Sequence, residues 1–138
     1  MVKKIVIAYD GSEPAMRAFR FALELAKFYS APAIVLSVAQ LPEPATMVES
    51  SALLEAATEH FEADFAKLRK EAETAGVSLE SRVVVGHVAE QIVHQAAAEQ
   101  ADLIVMGHRG KSRIARWLLG SVSKRVLSYA SCSVLIVR

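Results

Sequence analysis

Apolar and polar positions along the chain follow two alternating patterns. Short, mainly apolar runs occupy residues 3–9 (opened by two lysines), 33–38, 79–85, 103–106 and 134–137. Runs this short, closed by turn residues such as Asp10-Gly11 and Gly86, predict strands buried on both faces. Between them, apolar residues return every three or four positions. Ala15, Phe19, Ala22 and Ala26, widened by Ala18, Leu25, Phe28 and Tyr29, predict a first helix. Ser12 is its N-cap, Pro14 lies in its first turn, and Pro32 stops it. Leu54, Ala57, Phe61, Phe65, Leu68 and Ala72 predict a long second helix ending at Gly76. It follows the linker-like residues 39–50, in which Thr46 and Glu49 resemble a capping box. A third helix is expected over about 88–99, with Ile92, Val93 and Ala96 inward, and a fourth over about 121–129. The order β-α-β-α-β-α-β-α-β predicts an α/β fold with a parallel sheet covered on both faces.

Composition changes this picture little. A chain of 138 residues suits one domain, residues 1–138, and 53% hydrophobic content supplies a core. The single Cys132 forms no internal disulfide and suits a reducing compartment, so a cytoplasmic location is expected. The apolar run after Lys3 and Lys4 stops at Asp10, too short for a signal peptide. No run approaches the roughly 20 residues that span a bilayer, so no membrane partner is expected.

Charge changes it more. Net charge is +1, yet no acidic residue follows Asp102. Seven of the 16 basic residues lie in that last segment, which is therefore +7 against −6 for residues 1–102. Such asymmetry fits either an anion site or a solvated basic face.

In open α/β sheets, ligands bind beyond the carboxyl ends of the strands. Two loops there stand out: Asp10-Gly11-Ser12 after the first strand, and Gly107-His108-Arg109-Gly110 after the fourth. The second leads, nine residues on, to Gly120-Ser121-Val122-Ser123 at the start of the last helix. Glycines allow close backbone approach, and a helix N-terminus attracts anions. Lys124 and Arg125 fall in that helix's first turn, where each opposes the helix dipole at a cost of about 0.3–1 kcal/mol. A phosphate in front of the helix would offset this. Taken alone, Gly107 and Gly110 are better explained as plain turns. Asp10 also serves to order its turn, Ser121 and Ser123 to cap the helix, and Arg109 as a solvated charge.

The stretch from Met106 to Arg138 resembles the C-terminal signature of the universal stress protein family. The ATP-binding branch of that family carries Gly-x2-Gly-x9-Gly-Ser/Thr, which Gly107, Gly110, Gly120 and Ser121 match in type and spacing. The opening KKIVIAYDGSEPAMRAF, residues 86–90 and residues 101–107 match too, so the resemblance covers the whole chain. It implies a doubly wound five-stranded parallel sheet of order 3-2-1-4-5. It implies ATP, with Mg2+, as ligand. Ala8, Tyr9 and Val38 would border adenine, and Met106 and Gly107 the ribose side. Asp10 would lie near ribose and phosphates, through a metal. Gly110, Gly120, Ser121, Val122 and Ser123 would hold the phosphates, with Arg109 beside them. It further implies a stress-response regulator and a homodimer joined through Val134–Val137, an apolar strand that a monomer would leave as an open edge. His108, Arg113 and Ser133 depart from the family's usual residues.

Other chemistries find less support. No acid–base pair or nucleophile constellation appears, so an enzyme would be at most a slow ATPase or phosphotransferase. The alternative is a dimeric interaction module that binds no ATP. Gly110-Lys111-Ser112 resembles the end of a Walker A loop, but Val105 stands where that loop needs glycine. The acid cluster of a receiver domain and the Gly-x-Gly-x-x-Gly of a dinucleotide fold are missing. His60, His87, His94 and His108 lack metal-ligand spacing, and His60 is expected at the surface. Ile114, Trp117 and Leu118 read as core, and Cys132 as a structural thiol. Nucleic acid is not an expected partner, because the basic segment lacks interleaved aromatics and the pI is 7.9.

Overall fold

The computed structural model describes residues 1–40, 47–110 and 119–138. Five strands alternate with four helices: β1 (Ile5–Ala8), α1 (Glu13–Tyr29), β2 (Ala33–Gln40), α2 (Met47–Ala75), β3 (Leu79–Gly86), α3 (Val88–Ala98), β4 (Leu103–Gly107), α4 (Ser121–Tyr129) and β5 (Ser133–Val137). All strand pairs are parallel, in the order β3-β2-β1-β4-β5. This is the doubly wound arrangement expected.

Side-chain alternation along each strand divides the core in two. Ile5, Ile7, Val35 and Val105 face α1 and α2, meeting Phe19, Phe65 and Leu68. Val6, Leu36, Ile104 and Met106 face α3 and α4, meeting Ile92, Ala96 and Val126. Phe19 is wholly buried, and removing such a side chain from water contributes about 1.5–3 kcal/mol.

Local signals account for most element ends. Ser12 caps α1 by accepting a hydrogen bond from the amide of Ala15, and Pro14 occupies the tolerated first turn. Gly76, at φ 74°, closes α2, with the Val77 amide bonded to the carbonyl of Ala72. α1 ends differently from the expectation. Ser30 takes the left-handed conformation and its amide folds back on the last turn, two residues before Pro32. Phe28 and Tyr29, expected on the apolar stripe, are 80% and 38% exposed, and Leu54 of α2 is 40% exposed. The inward stripe of each helix is narrower than its apolar composition suggests. β2 runs two residues beyond its apolar core, to Gln40. The expected Thr46 capping box and the Ile114, Trp117, Leu118 stripe fall outside the described residues, as do Lys111 and Arg113.

Below the sheet, Asp102 accepts hydrogen bonds from the amides of Lys3 and Lys4, fixing the start of β1 against that of β4. Glu99 beside it binds Lys4 at 3.1 Å and Arg82 at 3.1 Å.

Candidate functional site

β1 and β4 are neighbours at the centre of the sheet, and the chain leaves them toward opposite edges. That divergence opens a crevice at the carboxyl ends of the strands. A cleft of about 540 Å³ lies there, within the range of small-molecule sites.

One wall is apolar. Ala8, Leu36, Val38 and Met106 come from the strand ends, and Val88 and Ile92 from the first turns of α3. The other wall is polar, built by the two loops that stood out in the sequence. Asp10 accepts a hydrogen bond from the amide of Ser12 at 2.9 Å, which fixes its carboxylate over the β1–α1 turn. Gly11 is in the left-handed region at φ 85°. The second carboxylate oxygen of Asp10 is packed on Gly110: a Cβ there would sit 2.5 Å from it. Gly107 is pressed on α1 in the same way, where a Cβ would meet Pro14 at 2.7 Å.

Helix α4 completes the polar wall. Gly120, not Ser121, is its N-cap, and no side chain caps the helix. The Gly120 amide donates to the carbonyl of His108, and the Lys124 amide to that of Gly120. The amides of Ser121, Val122 and Ser123 precede the first intrahelical donor, the Lys124 amide, and have no intrahelical acceptor. All three residues line the cleft. The Ser123 hydroxyl turns the other way. It is buried and faces the carbonyls of Gly107 (3.0 Å) and His108 (3.2 Å), clipping α4 to the end of β4. His108 in turn donates its amide to the carbonyl of Val137.

The cleft therefore brings together every residue singled out in the sequence: Ala8, Tyr9, Asp10 and Val38; Met106, Gly107, Arg109 and Gly110; Gly120, Ser121, Val122 and Ser123. Tyr9 borders it, but its ring lies in the core under α2. Its hydroxyl donates to Asp64 at 2.8 Å, and burial, then Asp64, push the phenol well above its usual range. Ala15, Leu36, Val88, Ile92, Leu119 and Lys124 line the cleft too, and sequence reasoning missed them as site residues. Val88 and Ile92 carry no local signal, since every helix here begins at the carboxyl edge and only the strand order places α3 at the cleft. No group of three metal-ligating side chains occurs among the described residues. No helix among them is long and apolar enough to cross a membrane.

A doubly wound sheet with an apolar wall facing an uncapped helix start defines a doubly wound α/β protein with a cleft at the carboxyl ends of its strands. Comparison places it more closely. The model of the universal stress protein family matches residues 1–138, and the chain belongs to that family. It is 37% identical to a universal stress protein of Methanocaldococcus jannaschii, over the whole of this chain and 83% of that one. Among solved structures, the universal stress protein UspA of Lactobacillus plantarum superposes with a TM-score of 0.88 at 25% identity, covering 99% of this chain and 98% of that. A universal stress protein solved in complex with cAMP superposes with a TM-score of 0.78 at 29% identity, covering 99% and 97%.

Proposed function

We propose that this chain is an ATP-binding regulator of the stress response, one nucleotide-binding unit over residues 1–138. The observation that carries this reading is the convergence, in one cleft, of an apolar wall with three helix-start amides that have no intrahelical acceptor. A purine suits the first and phosphates the second. Ala8, Val38 and the main chain at Tyr9 border adenine, with Val88 and Ile92 closing over it. Met106 and Gly107 lie on the ribose side. Gly110, Gly120, Ser121, Val122 and Ser123 hold the phosphates, the last through its amide, with Arg109 beside them. A magnesium ion would be carried by the phosphates, with Asp10 as its protein ligand. A relative solved in complex with cAMP supports a nucleotide as the class of ligand.

The protein acts as a cytoplasmic homodimer. β5 forms one edge of the sheet, and its residues Val134 to Val137 are only half-buried. An open apolar edge of this kind is ordinarily covered, and a second β5 is self-complementary to it. Bound nucleotide tunes assembly or partner binding rather than feeding fast turnover.

Calorimetric titration with ATP, with and without magnesium, tests the reading beside Gly120→Glu. That substitution puts bulk 3.2 Å from the His108 carbonyl and a negative charge in front of the cradle. Micromolar binding by the parent, lost in a folded variant, is the expected result. Absence of binding by parent protein shown to be free of co-purified nucleotide would leave a dimeric interaction module.

A further inference from the structure

Lys124 follows the three cradle amides directly and lines the same cleft. It pairs with no carboxylate among the described residues. It stands in the first turn of α4, where the helix dipole opposes a cation, and Arg125 beside it repeats the conflict. Both residues are exposed, and no ion pair with a carboxylate among the described residues offsets the conflict. Asp10 is the only carboxylate among the described residues that line the cleft, and one of its oxygens is held by the Ser12 amide. Arg109 lines the cleft as a further cation. Among the described residues at the cleft the cationic side chains thus outnumber the carboxylates, before the helix amides are counted.

One phosphate needs no more than the amides of Ser121, Val122 and Ser123. A lysine beyond them has work only if negative charge continues past the first phosphate. Its flexible stem lets the ammonium follow a phosphate chain toward solvent. We propose that Lys124 is a specificity-determining residue that selects nucleoside triphosphates over nucleoside monophosphates and cyclic monophosphates. The inference rests on the nucleotide reading above and goes beyond it, since the cradle amides alone do not count phosphates.

The test is titration of ATP, ADP, AMP and cAMP into the parent protein, Lys124→Gln, Lys124→Glu and Lys124→Arg. The parent binds in the order ATP, ADP, AMP. Lys124→Gln weakens ATP by about tenfold, as loss of one charge-assisted contact does, and leaves AMP and cAMP within about twofold. Lys124→Glu weakens ATP further, and Lys124→Arg retains it. Melting temperature in the absence of ligand stays level or rises in the Gln and Glu variants, because a cation has left the helix start. A merely structural lysine would lower it. Inorganic tripolyphosphate binds the parent more weakly than ATP by about tenfold or more, since it leaves the apolar wall empty. Equal affinity would assign the site to free polyphosphate and overturn the nucleoside class. A parent that binds ATP and AMP equally, or a Gln variant that loses both in parallel, overturns the role of Lys124 while the nucleotide reading stands. A parent whose empty site binds no nucleotide overturns both.

Discussion

The cleft glycines are excluded from bearing side chains by different neighbours, so alanine at each reports something different. At Gly107 the obstacle is Pro14 with its backbone, and the Cβ would lie 2.7 Å from it. Gly107→Ala must push α1 off β4, and should cost about 1–3 kcal/mol of stability, read from denaturant midpoints. At Gly110 the obstacle is one carboxylate oxygen of Asp10, on an exposed loop. Gly110→Ala should weaken nucleotide binding while leaving the midpoint nearly unchanged. If both variants lose stability alike, the contact with Asp10 is not what governs position 110. Far from the cleft, hydrogen bonds from Lys4 and then Arg82 hold the Glu99 carboxyl below its ordinary value of 4.5. A lowered carboxyl pKa stabilises the fold above the unfolded value, and that contribution is lost as pH falls through the folded one. Glu99→Gln should therefore be less stable than the parent at pH 7. The gap should close as pH drops below 4.5, which paired melting curves would reveal. Burial, then Asp102, raises the Cys132 thiol, in keeping with a structural role.

Among the elements, β5 makes the sharpest prediction. Among the described residues, Ser133 to Val137 pair with β4 alone. Sedimentation at micromolar concentration should find a dimer, and a monomer would remove the strand-to-strand assembly. The elements themselves were largely legible in the sequence. β1 and β4 are short apolar runs closed by Asp10-Gly11 and Gly107, the signature of parallel strands buried on both faces, whereas the edge strand β3 mixes Glu80, Ser81 and Arg82 with its valines. The cleft's polar wall was legible as well, because glycine spacing survives as sequence whatever surrounds it. The apolar wall was legible only in part. Val88 and Ile92 look like any inward helix residues until the sheet order brings α3 to the cleft. Strand alternation, by contrast, already separates Ala8 from Tyr9. They point to opposite faces, so only one side chain can meet a base. The end of α1 was misread because Ser30 supplies the left-handed turn that glycine usually provides.

On the scale of the whole molecule, the cleft joins parts of the chain about a hundred residues apart, so filling it should stabilise the entire fold. ATP at a hundredfold excess over its dissociation constant should add about 2.7 kcal/mol to the unfolding free energy. The segment after Asp102, +7 by sequence, supplies the polar wall from Gly107 onward. Raising salt should therefore weaken ATP more than adenosine. One peptide unit has a wider reach. His108 donates its amide to Val137, the last residue of the edge strand, and lends its carbonyl to Gly120 at the cradle. Edge and cradle thus hang on adjacent groups of one residue. The deuterium clock of that single amide should run slow twice over, once when a second strand docks and again when the cleft fills. A protein monitored at His108 alone would report both events. If nucleotide slows exchange in the cradle but leaves His108 untouched, the two ends of the molecule keep separate time.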